Sequence, residues 1–254
     1  MKFVDLNCDL GESFGAYKIG QDELILPHIT SANIACGYHA GDHNVMAQTV
    51  KMAVENDVKV GAHPGYRDLM GFGRRMIQTD PSDIYHFMIY QISALKGFCD
   101  LHNIRMQHVK PHGALFNAAA VDSEIAAAIA SAVYDCDPKL VLYGLYGSEL
   151  TKAGMRLGLQ IANEVFADRT YQANGMLTPR SHEHALIHDV NVAVSQVIDM
   201  VKNKKVTAVD GTIIPIQADT ICVHGDGEKA LQFVCELRQA LKTEQINIKP
   251  IVDL

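Results

Sequence analysis

Residues 3–12 read Phe-Val-Asp-Leu-Asn-Cys-Asp-Leu-Gly-Glu and contain the first predicted strand of the chain. The polar side chains of Asp5, Asn7 and Asp9 alternate with apolar ones, so they share one face for as long as the strand lasts. A solvent-facing edge strand could present such a face, but a parallel strand is normally buried on both sides and apolar. The stretch therefore predicts a strand that runs into a functional polar cluster, with Glu12 at its exit.

Six further short runs of β-branched or apolar residues alternate with helical patterns. Together with the first, the predicted strands span Phe3–Leu6, Ala32–Cys36, Val58–Ala62, Met106–Val109, Leu140–Leu145, Glu164–Ala167 and Thr220–Val223. The stretches between them are amphipathic at helical spacing, as where one face carries Ile84, Met88, Ile92, Leu95 and Cys99. Strands that alternate with helices indicate parallel pairing through right-handed crossovers.

Polar residues follow nearly every predicted strand, and this observation favours one closure of the sheet over another. In an open doubly wound sheet, only the strand ends near the switch point meet. In a barrel, all of them converge on one mouth, where such enzymes place their chemistry. We therefore expect one α/β domain over residues 1–254, a (β/α) barrel of about seven parallel strands. The loops Gly65–Gln78 and Asp168–Ser181 follow strands and are expected to cover the mouth.

The composition is that of a globular protein without a nucleic-acid or membrane partner. Of the 254 residues, 48% are hydrophobic and 20% charged, which excludes disorder, and the net charge is −7. Nucleic-acid binding normally needs a basic face, and we interpret the run at residues 202–205 as a solvated helix end. No signal peptide or membrane span is predicted, and the irregularly spaced cysteines fit reduced thiols. We expect a cytoplasmic protein.

The candidate catalytic residues are titratable side chains at or near the predicted strand ends, where they could activate water or carry protons. Glu164 lies within an apolar strand, and a buried carboxylate needs a partner. Lys110 lies where a strand meets its loop, so it could polarise a carbonyl or neutralise an anion, or could instead extend to solvent. We expect Lys110 and Glu164 to face the same cavity and to be coupled, directly or through a bound anion or water. The predicted set is Asp9, His39, Asp42, His63, Lys110, Glu164 and His224.

Histidines in two regions raise the question of a metal. His39 and Asp42 could form an acid/base pair, or His39 could bind a metal with His43, or Asp42 could cap the following helix. The second region contains His182, His184 and His188. These histidines do not follow a predicted strand, so we expect them on the surface of a helix that begins after Ser181. Whether the protein requires a metal is left open.

Several residues in the same segments are candidates for substrate binding. Two adjacent arginines beside glycines, as at Arg74 and Arg75, suit bidentate capture of a carboxylate or phosphate. Asp226 could belong to the site or cap a helix. No Gly-x-x-x-x-Gly-Lys phosphate-binding loop is present. The predicted set is Asn7, Asn33, Arg74, Arg75, His112, Asp168, Arg169, Arg180 and Asp226.

Seven of these segments resemble the LamB/YcsF family, in family order and from end to end of the chain. They are Asp5–Glu12, Ser31–Asp42, Gly61–Pro64, Gly71–Arg75, Val109–Asn117, Glu164–Arg169 and Cys222–Asp226. The resemblance implies an irregular (β/α) barrel of the glycoside hydrolase/deacetylase type. It also implies ATP-dependent opening of 5-oxo-L-proline (5-oxoproline) to L-glutamate, by a 5-oxoprolinase complex with two further subunits, B and C. Asn174 departs from the family pattern, which has an acidic residue there, so no carboxylate function is expected at that position.

The implied reaction is chemically consistent with the predicted site. A five-membered lactam is a resonance-stabilised amide, and phosphorylation of its oxygen by ATP would expose its carbon to water. Lys110, Arg74 and Arg75 could bind the substrate carboxylate and phosphate. Two alternatives stay open: a stand-alone metal-dependent hydrolase of the deacetylase type, and a non-catalytic subunit of a hydrolase complex. Which subunit binds ATP is likewise left open.

Overall fold

The computed structural model describes residues 2–224 and 230–251, and the side chain of His224 lies outside this description. The strands there are β1 (Lys2–Leu10), β2 (Ser31–Ala35), β3 (Lys59–His63), β4 (His108–Val109), β5 (Val141–Leu145), β6 (Gln160–Phe166), β7 (Lys205–Thr207), β8 (Ile213–Pro215), β9 (Thr220–His224) and β10 (Ile246–Ile248). The α-helices are α1 (Asp22–Ile25), α2 (His43–Glu55), α3 (Pro81–Leu101), α4 (Gly113–Val121), α5 (Ser123–Cys136), α6 (Glu149–Leu157), α7 (Val190–Ile198) and α8 (Ala230–Thr243). A π-helix at Asp199–Asn203 continues α7.

Seven parallel strands close into a barrel. Strands β1 to β6 pair in sequence order, and β9 pairs with both β6 and β1 to complete the ring. Thr220 of β9 lies in register with Asp5 on one side and Glu164 on the other. Strand β10 extends β1 outside the ring, and β7 and β8 form a separate antiparallel pair. The expected barrel of about seven strands is confirmed, and the open sheet is excluded.

Three predicted boundaries were wrong. Strand β1 continues to Leu10, because its polar side chains are buried and hydrogen-bonded inside the barrel rather than ending the strand. Strand β6 begins at Gln160, before the apolar run by which it was predicted. The helix expected after Ser181 begins only at Val190, where the carboxylate of Asp189 accepts hydrogen bonds from the first backbone N–H groups.

The helices cover the outside of the barrel with their apolar faces. The predicted face of α3 is buried, and Asp80 precedes Pro81 at its start, although the Asp80 side chain makes no capping hydrogen bond. In α7, Val197 is buried, and Val190, Val194 and Ile198 pack against the core. No single helix among the described residues is long and apolar enough to cross a membrane. Helices α4 and α5 pass that test only together, and they are bent by 115°.

The lower interior of the barrel is polar. At its base the buried carboxylate of Asp5 accepts hydrogen bonds from four hydroxyl groups, those of Thr30, Ser31, Tyr143 and Thr220. Although these hydrogen bonds favour the charged form, burial outweighs them and raises the pKa of Asp5. The carboxylate is therefore satisfied geometrically but costs free energy to ionise in the folded state.

The next layer of the interior joins Asn7, Asn33 and His108. The Nδ2 of Asn7 donates to Thr220, 2.6 Å away, and the Nδ2 of Asn33 donates to the Oδ1 of Asn7 at 2.7 Å. Because the Oδ1 of Asn33 can only accept, the Nε2 of His108 donates to it, at 2.7 Å. Burial lowers the pKa of His108 to about 3, so its ring is neutral. This layer links the base of the barrel to its mouth.

Gly61→Ala should destabilise the protein by about 1–3 kcal/mol, as overpacking of a core does. A Cβ at position 61 would lie 2.2 Å from ring atoms of His108 and would displace that ring from Asn33. The control is Gly97→Ala in α3, where a Cβ meets nothing within 4 Å. That variant should gain about 0.5–1 kcal/mol from helix propensity. Urea unfolding of both variants measures the difference, and equal effects would contradict the close packing of β3 against His108.

The Asp5→Asn variant should become progressively more stable relative to the wild type as the pH rises above the ordinary aspartate pKa of about 3.9. Folding raises the pKa of the Asp5 carboxyl group. Such a group contributes its full stabilisation at a pH below its pKa in the unfolded chain, and the contribution is lost as the pH rises through its pKa in the folded protein. Urea unfolding between pH 4 and 7 measures the trend.

Asp210→Asn serves as the control of opposite sign. The backbone N–H of Thr212 donates to Asp210 and lowers its pKa, so the wild type should gain stability over this variant as the pH rises from about 2 to about 4, below the window of the Asp5 effect. Trends of the same sign in both variants would show that burial does not dominate at Asp5.

Candidate functional site

A cavity of about 410 Å³ opens at the carboxyl ends of the barrel strands. Its floor contains Asp9 from β1, His63 from β3 and Lys110, which follows β4. Its outer wall includes Arg74 and Arg180, from the two loops that were predicted to cover the mouth. The volume lies within the range of about 300–1,000 Å³ typical of small-molecule sites. The strand ends therefore converge on one mouth, as predicted.

Lys110 lies between two buried carboxylates. Its Nζ is 2.8 Å from the Oδ1 of Asp9 and 2.8 Å from the Oε1 of Glu164. Burial alone would lower the pKa of Lys110, but the adjacent negative charges outweigh it and raise that pKa well above its ordinary value. One ammonium group cannot neutralise two carboxylates, and burial raises the pKa of Glu164. Lys110 is therefore a permanently charged group at neutral pH.

The predicted coupling of Lys110 with Glu164 is confirmed by this ion pair. Lys110 lines the cavity, whereas Glu164 is fully buried behind it and reaches the cavity only through the ammonium group. The Sγ of Cys222 is 3.1 Å from the same Nζ. Burial raises the pKa of Cys222 well above its ordinary value, so this cysteine is a neutral thiol and not a nucleophile.

Four buried side chains form what we call the Glu-His₃ cluster: Glu12, His39, His63 and His112. One donor atom from each lies within 4.8 Å of the others. The ring of His39 stacks on that of His112, with centroids 3.7 Å apart. Burial lowers the pKa values of both rings well below the ordinary histidine value, so they are neutral. Neutral imidazoles with a carboxylate are a donor set that could hold a divalent metal ion.

Three arginines line the outer part of the cavity: Arg74, Arg169 and Arg180. The guanidinium of Arg169 is buried and donates to the carbonyl oxygens of Thr178, at 2.5 Å, and Ala185, at 3.3 Å. Burial lowers its pKa to about 10, so it remains charged at neutral pH. The guanidinium of Arg74 lies over the ring of Phe72, 4.8 Å from its centroid. The cavity wall is thus cationic and suits an anionic ligand.

Two predicted site residues, Asp42 and Arg75, lie outside the cavity wall. Asp42 caps α2, since its Oδ1 accepts from the backbone N–H groups of Asn44 and Val45, and these hydrogen bonds lower its pKa. Arg75 pairs with Asp68, 3.0 Å from Nε to Oδ1, on the outer side of its loop. The helix-cap interpretation of Asp42 is therefore the one that the structure supports.

Asn7 and Asn33 lie beneath the cavity floor rather than on it. The Nδ2 of Asn33 donates to the Oδ1 of Asp9 at 2.8 Å, so this layer orients the carboxylate above it. His39 lies behind His112, and Asp168 is half-buried beside the cavity without lining it. The backbone of His224 lies in register with Asp9. Its side chain and the whole of Asp226 lie outside the described residues.

The alternative metal pair of His39 with His43 is not formed, because His43 is exposed at the start of α2. The other histidine group is exposed, as predicted: His182, His184 and His188.

Glu12, which was placed at the exit of the first predicted strand, and several aromatic residues belong to the site but were not among the predicted catalytic or substrate-binding residues. Gly11 adopts a φ of 69° at the end of β1, and Glu12 follows this turn to lie 3.3 Å from the Nε2 of His39. A glycine between two acidic residues at a strand exit was the available signal. Phe116 and Phe166 line the cavity, but apolar residues within a helix or strand give no sequence signal that separates a cavity wall from a core.

A model of the LamB/YcsF family matches residues 4–254. The chain belongs to this family. It is 64% identical over 253 residues, 100% of its length, to the A subunit of 5-oxoprolinase from Halalkalibacterium halodurans, of which it covers 98%. A lactam utilization protein from Thermus thermophilus has a crystal structure that superposes with a TM-score of 0.92 at 40% identity, covering 98% of this chain and 99% of that one.

The barrel is also similar to that of a peptidoglycan deacetylase, PdaC from Bacillus subtilis. The TM-score is 0.50 at 11% identity, covering 99% of this chain and 89% of the deacetylase. At this identity the likeness concerns the fold alone, and it agrees with the expected deacetylase type of barrel.

Lys110→Met should destabilise the fold by about 3–5 kcal/mol, because it leaves Asp9 and Glu164 as buried carboxylates without their cation. Adding Glu164→Gln should recover part of that loss, since the second substitution removes one of the two charges. Thermal or urea unfolding of the two single variants and the double variant measures the coupling. Additive effects would show that the ion pair between Lys110 and Glu164 contributes no coupling energy.

Proposed function

We propose that this chain is the A subunit of an ATP-dependent 5-oxoprolinase, which opens 5-oxo-L-proline to L-glutamate as ATP is hydrolysed to ADP and phosphate. The observation that carries the proposal is the 64% identity, over the whole chain, to a protein named as the A subunit of 5-oxoprolinase. The cavity at the barrel mouth supports it independently, since it combines a cationic wall with a floor of titratable groups. We further propose that subunits B and C complete the complex, and that it works in the cytoplasm.

The wall of the cavity suits the charges of the proposed substrate. 5-Oxoproline carries one carboxylate, and its phosphorylated form would carry a second anionic group. We assign their binding to Arg74, Arg169 and Arg180, because guanidinium groups match the planar geometry of carboxylates and phosphates. The hydrogen bonds of Arg169 to backbone carbonyls hold its guanidinium in place before the substrate arrives.

The lactam requires activation, because amide resonance makes its carbonyl carbon unreactive towards water. Transfer of the γ-phosphoryl group of ATP to the lactam oxygen gives an imidate phosphate and ADP. Water adds to that carbon, and cleavage of the carbon–nitrogen bond, with protonation of the nitrogen, leaves an acyl phosphate of glutamate. A second water hydrolyses the acyl phosphate to glutamate and inorganic phosphate. Two water molecules are consumed, one for the lactam and one for ATP.

The floor of the cavity offers groups for these steps. We assign water activation to Asp9, whose Oδ2 lies 3.3 Å from the Nε2 of His63 on the cavity floor. We assign Lys110 to the stabilisation of negative charge that develops on the oxygen. Glu164 and Asn33 then act as positioning residues, since one holds the ammonium of Lys110 and the other the carboxylate of Asp9.

ATP binding is assigned to the partner subunits. This chain contains no Gly-x-x-x-x-Gly-Lys phosphate-binding loop. A purely non-catalytic role for this chain is disfavoured by the charged floor of the cavity, because a scaffold has no use for charges that are costly to bury.

The purified chain alone should hydrolyse little ATP in the presence of 5-oxoproline, and should gain 5-oxoproline-dependent ATP hydrolysis when its partner subunits are added. Release of phosphate and formation of glutamate, measured in equal amounts, test the proposal. Complementation by the partners shows that an inactive chain is intact. Rapid turnover by the isolated chain would contradict the assignment of ATP to the partners, and absence of glutamate from the full mixture would contradict the proposed function.

The double variant Lys110→Met with Glu164→Gln distinguishes a role in chemistry from charge neutralisation. If Lys110 acts on the substrate, the assembled complex should lose turnover by about 10²–10³-fold, as after removal of an oxyanion-stabilising group. If Lys110 only neutralises Glu164, the double variant should be active. Lys96→Met, an exposed lysine on α3, serves as the control and should leave turnover unchanged. Melting temperatures of all three proteins ensure that folded proteins are compared.

A further inference from the structure

The hydrogen bonds of two rings in the Glu-His₃ cluster determine where their protons lie. The Nδ1 of His63 is 2.8 Å from the carbonyl oxygen of Lys110. The Nε2 of His112 is 2.8 Å from the carbonyl oxygen of Phe72. A backbone carbonyl can only accept, so each of these nitrogens carries a proton and donates it. In a neutral ring, the other nitrogen then has a free lone pair.

The two nitrogens with lone pairs face each other. The Nε2 of His63 lies 2.9 Å from the Nδ1 of His112. Two carboxylate oxygens approach the same pair, with the Oδ2 of Asp9 3.3 Å from the former and the Oε1 of Glu12 3.8 Å from the latter. Two nitrogen lone pairs that face each other at 2.9 Å repel one another, and the low dielectric of a buried site strengthens that repulsion. The arrangement requires a positive charge between these atoms.

We propose that Glu12, His63 and His112 of the Glu-His₃ cluster form a binding site for one divalent transition-metal ion, with zinc as the best match. Two imidazole nitrogens and one carboxylate oxygen, with a fourth position open to the cavity, are a ligand set that Zn²⁺ accepts in tetrahedral geometry. His39 is not a ligand, because its ring stacks in parallel on that of His112 and an imidazole binds a metal in its own plane. Ligand bonds of about 2.0–2.1 Å place tetrahedral donors about 3.3 Å from one another. The separations of 2.9 Å between His63 and His112 and of 3.8 Å between His112 and Glu12 lie around that value.

The surroundings of the cluster support a metal rather than a chance gathering of histidines. The backbone carbonyls that accept from His63 and His112 are the outer hydrogen bonds that orient metal-binding imidazoles. Glu12, His63 and His112 also line the cavity, so a bound ion would adjoin any ligand in it.

A metal at this position would polarise a carbonyl or phosphoryl oxygen and lower the pKa of an adjoining water. The binding site itself does not depend on the proposed function, because metal affinity is measurable on the isolated chain without any substrate.

The test is titration of the chelator-treated, isolated chain with Co²⁺, followed by Zn²⁺. Co²⁺ should bind one per chain with the visible absorption of a tetrahedral site, Zn²⁺ should displace it, and either ion should raise the Tm. Glu12→Gln and His112→Gln should each weaken binding by more than about 100-fold, beyond the effect of losing an outer hydrogen bond. The control is a variant with both His182 and His184 changed to Gln, which removes the exposed histidines and should bind Co²⁺ like the wild type.

Two results would overturn the proposal. In the first, the wild type shows neither Co²⁺ absorption nor any metal-dependent rise in its Tm. The positive charge between His63 and His112 would then be a proton that the two rings share. The second is binding that the His182 and His184 substitutions abolish and the Glu12 and His112 substitutions do not. Because the Tm shift is measured on the wild type, the proposal stays testable even if a cluster variant fails to fold.

Discussion

The burial of the Lys110 ammonium group between Asp9 and Glu164 is the interaction on which the mouth of this barrel depends. The three residues come from β1, the end of β4 and β6, which are not neighbours in the ring. Only closure through β9 brings them within ion-pair distance. Desolvation makes each of these charges costly to bury alone, so the arrangement persists because all three are present and paired. The same closure that builds the barrel therefore positions its charged floor.

A column of hydrogen-bonded polar side chains extends from Asp9 at the mouth to Asp5 at the base of the barrel. Asn33 accepts from His108 and donates to both Asn7 and Asp9, and Asn7 donates to Thr220, which in turn donates to Asp5. Each hydrogen bond in this column has a fixed donor and a fixed acceptor. The orientation of the Asp9 carboxylate is therefore set by groups that lie far below the cavity. Such a column sacrifices apolar packing in the barrel interior, and it provides rigidity where the carboxylate must be held.

The mouth combines two kinds of nitrogen group, imidazoles and guanidiniums, whose charge responds differently to burial. The histidines of the Glu-His₃ cluster lie deep, where desolvation keeps the rings of His39 and His112 neutral. The arginines of the cavity wall keep their charge at neutral pH even where burial lowers the pKa, as it does for Arg169. An anionic ligand would thus meet cations on the wall first and neutral imidazoles and paired charges on the floor. This difference follows from the high intrinsic pKa of a guanidinium, which burial does not overcome, and it suits a substrate with a carboxylate at one end and a reactive carbonyl at the other.

Local patterns in the sequence were sufficient to predict seven parallel strands, the barrel, and the pairing of Lys110 with Glu164, because alternation and strand-end position depend on near neighbours along the chain. They did not determine which strand-end side chains reach the cavity. Asp42 caps a helix and Arg75 pairs with Asp68, whereas Glu12 turns inward after Gly11 to join three histidines. The direction of a side chain beyond a strand depends on loop backbone angles and on partners distant in sequence. Those partners are assembled only when the ring of strands closes.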